Sequence, residues 1–301
     1  MPASVPSKVN GWWCDPKTEY AFIGFGYEIT PCQSQDQLTQ EFTDIRKRFN
    51  GRYVRLYGTC DSDGYYNTVI EAAWSAGIGV HALIWFGFNG DNAWEGRRDA
   101  LFSVLHSNPK APYVVRTIQF GSEPLYDHAI DPYALQSQVQ SAQAQFKSVG
   151  ITVTVSDMAY GFKTAGDGGV AVLQTVDNVH GHMLPFFSPD ATTGDNAWPI
   201  IDPDIQWLQT TAGDKKIYLS ENGWPSTSYE GVQATSGAAV ADVSSEAAYF
   251  NLLDSKCEYF KSFPHGIAWF AHLYSDNQEP GYGILDSSGN EKFPFKPKTS
   301  C

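Results

Sequence analysis

Short apolar runs rich in β-branched and aromatic residues alternate along the chain with longer stretches whose apolar positions recur every three or four residues. The first kind predicts strands and the second amphipathic helices. Strands are predicted over Ala21–Tyr27, Tyr53–Tyr57, Gly79–Phe86, Thr117–Ser122, Thr152–Ser156, Asn178–Leu184, Lys216–Ser220 and Gly266–Ala271. Helices are predicted over Ser34–Phe49, where Leu38, Phe42, Ile45 and Phe49 share a face, and over Tyr65–Ala76, Ala93–His106, Pro132–Ser148, Pro203–Thr211 and Ser244–Phe263. Asp131 stands as an N-cap before Pro132, and Gly77, Gly150 and Gly213 fall where helices should stop. Strands separated in this way predict an α/β fold, a single (β/α)₈ TIM barrel over 21–301, with residues 1–20 as an N-terminal extension. An open doubly wound sheet is the alternative, and it should carry a glycine fingerprint after its first strand. Gly24-Phe25-Gly26-Tyr27-Glu28-Ile29 lacks the third glycine and Pro31 stands where a helix should open, so dinucleotide binding is rejected.

Composition narrows the function classes. Aromatic residues make up 14% of the chain and charged residues only 18%, which excludes a disordered protein. The net charge of −13 disfavours phosphate backbones and anionic lipid, so neither nucleic acid nor membrane is an expected partner. A neutral ligand fits better, and the aromatic content leans toward carbohydrate. No apolar run approaches the roughly 18 residues of a membrane helix. The start, Met1-Pro2-Ala3-Ser4, has no basic or apolar region of a signal peptide. The five cysteines form no Cys-x-x-Cys, which argues against a zinc ribbon or a thioredoxin-type site.

In such a barrel, chemistry sits where the strands end. The fourth strand ends in Gly121-Ser122-Glu123-Pro124 and the seventh in Ser220-Glu221-Asn222-Gly223-Trp224. A glutamate just past an apolar strand is costly unless paired or used. One alone reads as a helix cap or a loop ion pair. Two, facing each other across the mouth, read as the carboxylates of a glycosidase, about 5 Å apart for double displacement.

These residues carry a resemblance. Ser220-Glu221-Asn222-Gly223-Trp224-Pro225-Ser226, Val54-Arg55-Leu56-Tyr57, Pro185-Phe186-Phe187 and Gly281-Tyr282-Gly283-Ile284-Leu285 are similar to landmarks of glycoside hydrolase family 17, the β-1,3-glucanases and glucanosyltransferases, and most of all to its fungal cell-wall members. The resemblance runs from Phe22 to about Phe295. It implies a retaining β-1,3-glucan-active enzyme with Glu123 as acid/base and Glu221 as nucleophile, either an endo-glucanase or a glucanosyltransferase. It also implies β-glucan as partner, no metal or organic cofactor, a monomer, and a secreted, extracellular or cell-wall location. The chain departs from the family pattern in three places. Ser122 stands where Asn often precedes the acid/base, Leu184 where a Tyr often stands, and Ala271 where a Glu often ends the eighth strand. Tyr27 is the substitute hydroxyl for orienting the nucleophile.

Other residues fill in the expected substrate path. Trp85, Phe86, Tyr126, Trp198, Trp224, Trp269 and Tyr274 lie at or near strand ends; each alone reads as core, and together they read as sugar-stacking platforms with Trp224 foremost, while Tyr57 of the second-strand landmark is a further substrate-binding candidate. Arg55, a charge on an apolar strand, should hold a catalytic carboxylate by bidentate hydrogen bonds, the alternative being direct contact with sugar. Asp157 is either a sugar-hydroxyl acceptor or a helix cap. In His180-Gly181-His182 both imidazoles face one way, so a metal pair is a competing reading, with His182 as a donor to sugar the preferred one. The loop Tyr274–Gly281 offers Asp276 and Glu279 as hydrogen-bonding groups for a glucosyl unit. A glucan-binding wall protein without catalysis is the reading from another class, and it would lack one of the two glutamates. Cys32 and Cys60 follow neighbouring strands and should pair, closing a loop of roughly 28 residues for about 3 to 4 kcal/mol. Cys257, on an apolar helix face, is expected as a buried thiol, with Cys301 reaching Cys14.

Overall fold

Eight parallel strands close into a barrel in chain order. They are β1 (Ala21–Glu28), β2 (Tyr53–Tyr57), β3 (Gly79–Ile84), β4 (Val115–Ser122), β5 (Thr152–Met158), β6 (Val179–Met183), β7 (Ile217–Asn222) and β8 (Ile267–Ala271). Every strand read from the sequence is present and differs only at its ends. The structure, a computed structural model, describes all residues except Asn10 and Asn89. Burial on both faces explains why the strands read as continuous apolar runs. At Gly24 the strands approach so closely that a Cβ would lie 1.8 Å from the Tyr53 carbonyl oxygen. Only glycine fits there, and the β1–β8 register shifts at this point.

The helices are α1 (Gln35–Arg48), α2 (Tyr65–Ala76), α3 (Ala93–Ser107), α4 (Ala111–Val114), α5 (Pro132–Phe146), α6 (Ala159–Thr164), α7 (Gly166–Thr175), α8 (Trp198–Ala212), α9 (Val243–Ser255) and α10 (Cys257–Ser262). The expected helix Ser244–Phe263 is broken at Lys256 into α9 and α10. Helix α8 begins before Pro203 because Pro199 occupies its first turn, where no N–H is required. Helices α6 and α7 were not expected, since their glycines mask the helical pattern. One of these glycines, Gly161, is there because a Cβ would meet Asp157 Oδ1 at 2.2 Å.

The bottom of the barrel is sealed by the segment before β1. Glu19, 1% exposed, accepts from Tyr53 Oη at 2.5 Å and Tyr218 Oη at 2.6 Å. Its carbonyl accepts from Lys216 Nζ, and Arg116 Nε lies 4.0 Å from its carboxylate. Burial pulls the Lys216 ammonium down to about 7.

Cys32 and Cys60 are joined, as the topology requires. Cys257 is not a free thiol: it pairs with Cys301, and Cys14 is exposed and unpaired. The final segment runs back along the barrel, with Lys298 accepting from the Phe22 N–H and donating to Asp254, and this delivers Cys301 to α10 rather than to the extension. No helix among the described residues is long and apolar enough to cross a membrane.

Candidate active site

Strand β4 ends on an unusual backbone. Gly121 has φ 80° and Glu123 has φ 58°, a left-handed conformation costly for a side-chain-bearing residue. The fold holds it there. The Glu123 N–H donates to the Ser156 carbonyl at 2.8 Å, and buried Asp157 accepts from the N–H groups of Leu125 at 2.8 Å and Tyr126 at 3.3 Å. Asp157 is therefore a clamp on the loop that aims Glu123, and neither a sugar contact nor a cap at a helix start.

Glu221 stands opposite on β7. Arg55, fully buried, brings Nη1 to within 2.5 Å of Glu221 Oε1. Ser122 Oγ donates to the same oxygen, and His182 Nε2 lies 3.5 Å from it. Arg55 therefore meets the Glu221 carboxylate through Nη1 alone and not as a bidentate pair, its Nη2 going to Ser156 at 2.9 Å. His182 Nδ1 meets Glu123 Oε1 at 2.9 Å and Nε2 meets Ser156 Oγ at 2.7 Å. At 3% exposure, His182 lies between the two glutamates. Carboxylate oxygens of Glu123 and Glu221 and a ring nitrogen of His182 lie within 4.8 Å of one another. Such a triplet has metal-ligand spacing, but the permanent cation of Arg55 already sits on Glu221 and would repel a divalent ion. Burial raises the Glu221 carboxyl, yet His182, Arg55, His272 and the Ser122 hydroxyl outweigh it and hold it down at about 2.

On one side of the pair, the Tyr57 ring packs edge-on against His272 at 5.4 Å. His272 Nε2 lies 3.2 Å from Glu279 Oε2, and Tyr229 Oη donates to Glu279 Oε1 at 3.2 Å. Glu279 thus reaches the mouth. On the other side, Glu123 and His182 open into a cleft of about 760 Å³ walled by Tyr126, Tyr160, Leu184 and Phe187. Tyr126 is 43% and Tyr160 58% exposed. Trp85 is half-buried at the rim beneath Arg97, whose guanidinium lies 5.3 Å from its ring.

Several expected contacts lie elsewhere. Trp224 is fully buried, packs on Phe186 and donates Nε1–H to the Val240 carbonyl at 2.8 Å. Trp269 points outward from β8, between Phe22 and Phe250, while its neighbours Ala268 and Phe270 face the barrel axis. Tyr27 also points outward, onto Phe42, and donates to Glu41 of α1, so it does not reach Glu221. Tyr274 is buried against Phe25 and Phe49 and donates to Asp44 at 2.8 Å. Asp276 Oδ1 accepts from Gly281 N–H at 3.0 Å, Gly283 N–H at 2.9 Å and Lys292 Nζ at 3.1 Å, which folds its own loop. Lys292 also lies 2.8 Å from Glu246 of α9, whose carboxyl burial pushes up to about 8 against the pull of Lys292. Sequence reasoning overlooked Tyr160, Ser156 and Gln119. An exposed Tyr two residues past β5 was the one available signal.

Barrel and carboxylate pair together define an enzyme of the glycoside-hydrolase class. The chain belongs to the BtgE/BtgC glycoside hydrolase domain family, whose model matches residues 24–283. No curated protein matches it in sequence. Among solved structures, it is similar to the glycoside hydrolase family 17 β-1,3-glucanosyltransferase from Rhizomucor miehei, with TM-score 0.73 and 20% identity over 93% of this chain and 98% of that one. An active-site mutant of Rhizomucor miehei β-1,3-glucanosyltransferase in complex with laminaritriose gives 0.73 and 19% over 91% and 97%. A β-D-glucuronidase from Dictyoglomus thermophilum gives 0.63 and 13% over 91% of this chain and 49% of that one. These likenesses show a shared barrel, and the family-17 resemblance agrees with them.

Proposed function

We propose that the protein is a retaining β-1,3-glucan-active glycosidase with Glu221 as nucleophile and Glu123 as acid/base. One observation carries the assignment of roles. The hydrogen-bond donors on Glu221, from Arg55 and Ser122, both converge on Oε1, with His182 Nε2 3.5 Å from the same oxygen, and no hydrogen bond reaches Oε2 among the described residues. An ionised carboxylate with one oxygen anchored and the other free suits attack on an anomeric carbon. Glu123, with its side chain 19% exposed, is placed to give a proton to the departing oxygen and to take one from the acceptor. Oxygens within 4.8 Å fit double displacement, since the inverting arrangement needs room for a water.

Water as acceptor makes the enzyme an endo-glucanase. Transfer to a sugar is the second reading, favoured by the roomy cleft beside Glu123 with its two exposed tyrosines and by the name of the Rhizomucor miehei neighbour. Secretion to the cell wall goes with either. Incubation with laminari-oligosaccharides, followed by sizing of products and NMR of the new anomeric centre, tests both. Shorter β-products mean hydrolysis, and products longer than the donor mean transfer. An α-configured first product would overturn the retaining mechanism.

A further inference from the structure

Below the glutamates, a column of polar side chains fills the barrel axis where aliphatic residues would ordinarily pack. Gln119 of β4, His180 of β6 and His81 of β3 are each fully buried. Gln119 Oε1 lies 2.8 Å from Arg55 Nε and 3.1 Å from His180 Nδ1, and His180 Nε2 lies 3.3 Å from His81 Nδ1. Gln119 Nε2 is anchored on the His81 carbonyl at 3.1 Å.

Donor and acceptor roles follow one another without ambiguity. A guanidinium only donates, so Gln119 presents its oxygen to Arg55. The same oxygen faces His180, so His180 carries its proton on Nδ1. Burial holds both imidazoles well below their ordinary value, so each ring has one proton. His180 Nε2 is therefore bare and accepts from His81 Nδ1–H. The remaining nitrogen, His81 Nε2, has no partner and sits among the rings of Tyr53, Tyr218 and Phe270. The column ends on a bare nitrogen in an aromatic box and delivers its one doubly used acceptor to Arg55.

We propose that Gln119, with its oxygen fixed by His180 and His81, is a positioning residue that locks the Arg55 guanidinium against Glu221. This rests on the reading of Glu221 as nucleophile. Arg55 spends Nε on Gln119, Nη1 on Glu221 and Nη2 on Ser156 at 2.9 Å and Ser122 at 3.3 Å, so Gln119 is the one anchor on the inner edge of the guanidinium, and its loss lets the plane tilt about the outer contacts. The charged or titratable groups around Glu221 are Arg55 from β2, Glu123 and Asp127 after β4, His182 from β6, His272 after β8, and Tyr57 and Tyr282. Arg55 is the only permanent cation in that set.

The test is the pH dependence of kcat/KM on laminari-oligosaccharides for Gln119→Leu and Gln119→Glu, with folding checked by circular dichroism. Leucine removes the acceptor, and glutamate adds a charge that competes for Arg55. Both should move the acid limb up by about one pH unit and lower kcat by roughly ten- to a hundredfold, with KM little changed. An unmoved acid limb in folded Gln119→Leu overturns the proposal. ¹⁵N NMR of the wild-type protein reads the same column without any variant: His180 should carry Nδ1–H and a bare Nε2, and the opposite tautomer overturns the proposal. Failure of the underlying reading looks different, because Glu221→Gln would then turn over like wild type with the His180 tautomer as drawn.

Discussion

At the bottom of the barrel Glu19 accepts from Tyr53 on one oxygen and Tyr218 on the other, whereas at the mouth Glu221 accepts from Arg55 and Ser122 on a single oxygen. Both are buried glutamates beside cations. The first has its carboxylate saturated from both sides and closed over by the extension. The second keeps one oxygen in reserve and stands beside Glu123, which lines a cleft. A saturated carboxylate holds strands together, and a half-saturated one is available for bond formation.

The sharpest break in this comparison is removal of each glutamate in turn. Glu221→Ala should lower turnover by roughly 10⁴-fold or more, and azide with an activated donor should restore it as the inverted glycosyl azide. Glu123→Ala should keep activity on donors with good leaving groups, and azide should then yield the retained product. The reverse pattern would mean the roles are exchanged. Glu19→Ala should do the opposite kind of damage. It strands two buried phenols and the charges of Lys216 and Arg116, for about 3–5 kcal/mol of lost stability in urea. Turnover of the variant while folded should stay within about twofold of wild type.

A smaller effect separates the two ends by pH. Glu246, under the mouth loops, has its folded value raised from 4.5 to about 8, chiefly by burial. A raised acid binds more protons folded than unfolded, so its contribution is full below about 4.5 and is lost as pH rises through about 8. Lys216 at the bottom runs the other way: its folded value is lowered from 10.5 to about 7, so its contribution grows as pH rises from about 7 toward 10.5. Urea unfolding of Glu246→Gln at successive pH values should show a variant that gains on wild type as pH rises from 5 to 8; a constant difference would contradict this. The mildest change is Tyr160→Ala. Loss of a stacking face worth about 1–1.5 kcal/mol should lower the ratio of transfer to hydrolysis by up to roughly tenfold, and an unchanged product ratio would leave Tyr160 outside the acceptor path.

The strands were legible because a parallel barrel buries both faces of each, so all of them appear as uninterrupted apolar runs. The glutamates were legible because a charge at the end of such a run must be either paired or put to use. The aromatic platforms were misread because a strand end does not reveal which way a ring points. Trp269 alternates with Ala268 and Phe270, and only the closed barrel shows that the latter two face the axis. Trp224 lies past the end of β7, where alternation no longer applies. Asp157 and Asp276 had the composition of sugar contacts, but they bind backbone N–H groups that no sequence pattern marks, and Asp276 also Lys292. The column of Gln119, His180 and His81 was invisible because its members come from β4, β6 and β3 and meet only across the axis.

The segment before β1 and the last residue share one end of the molecule. Tyr20 Oη donates to the Cys301 carbonyl at 3.2 Å, Lys261 Nζ does so at 2.6 Å, and Met1 N lies beside Gly77 at the close of α2. Met1 and Cys301 therefore sit beneath the barrel, on the side away from Glu123 and Glu221. Attached to a solid support through either, the molecule would stand with its mouth outward, and a polysaccharide lying across that mouth would meet neither tether.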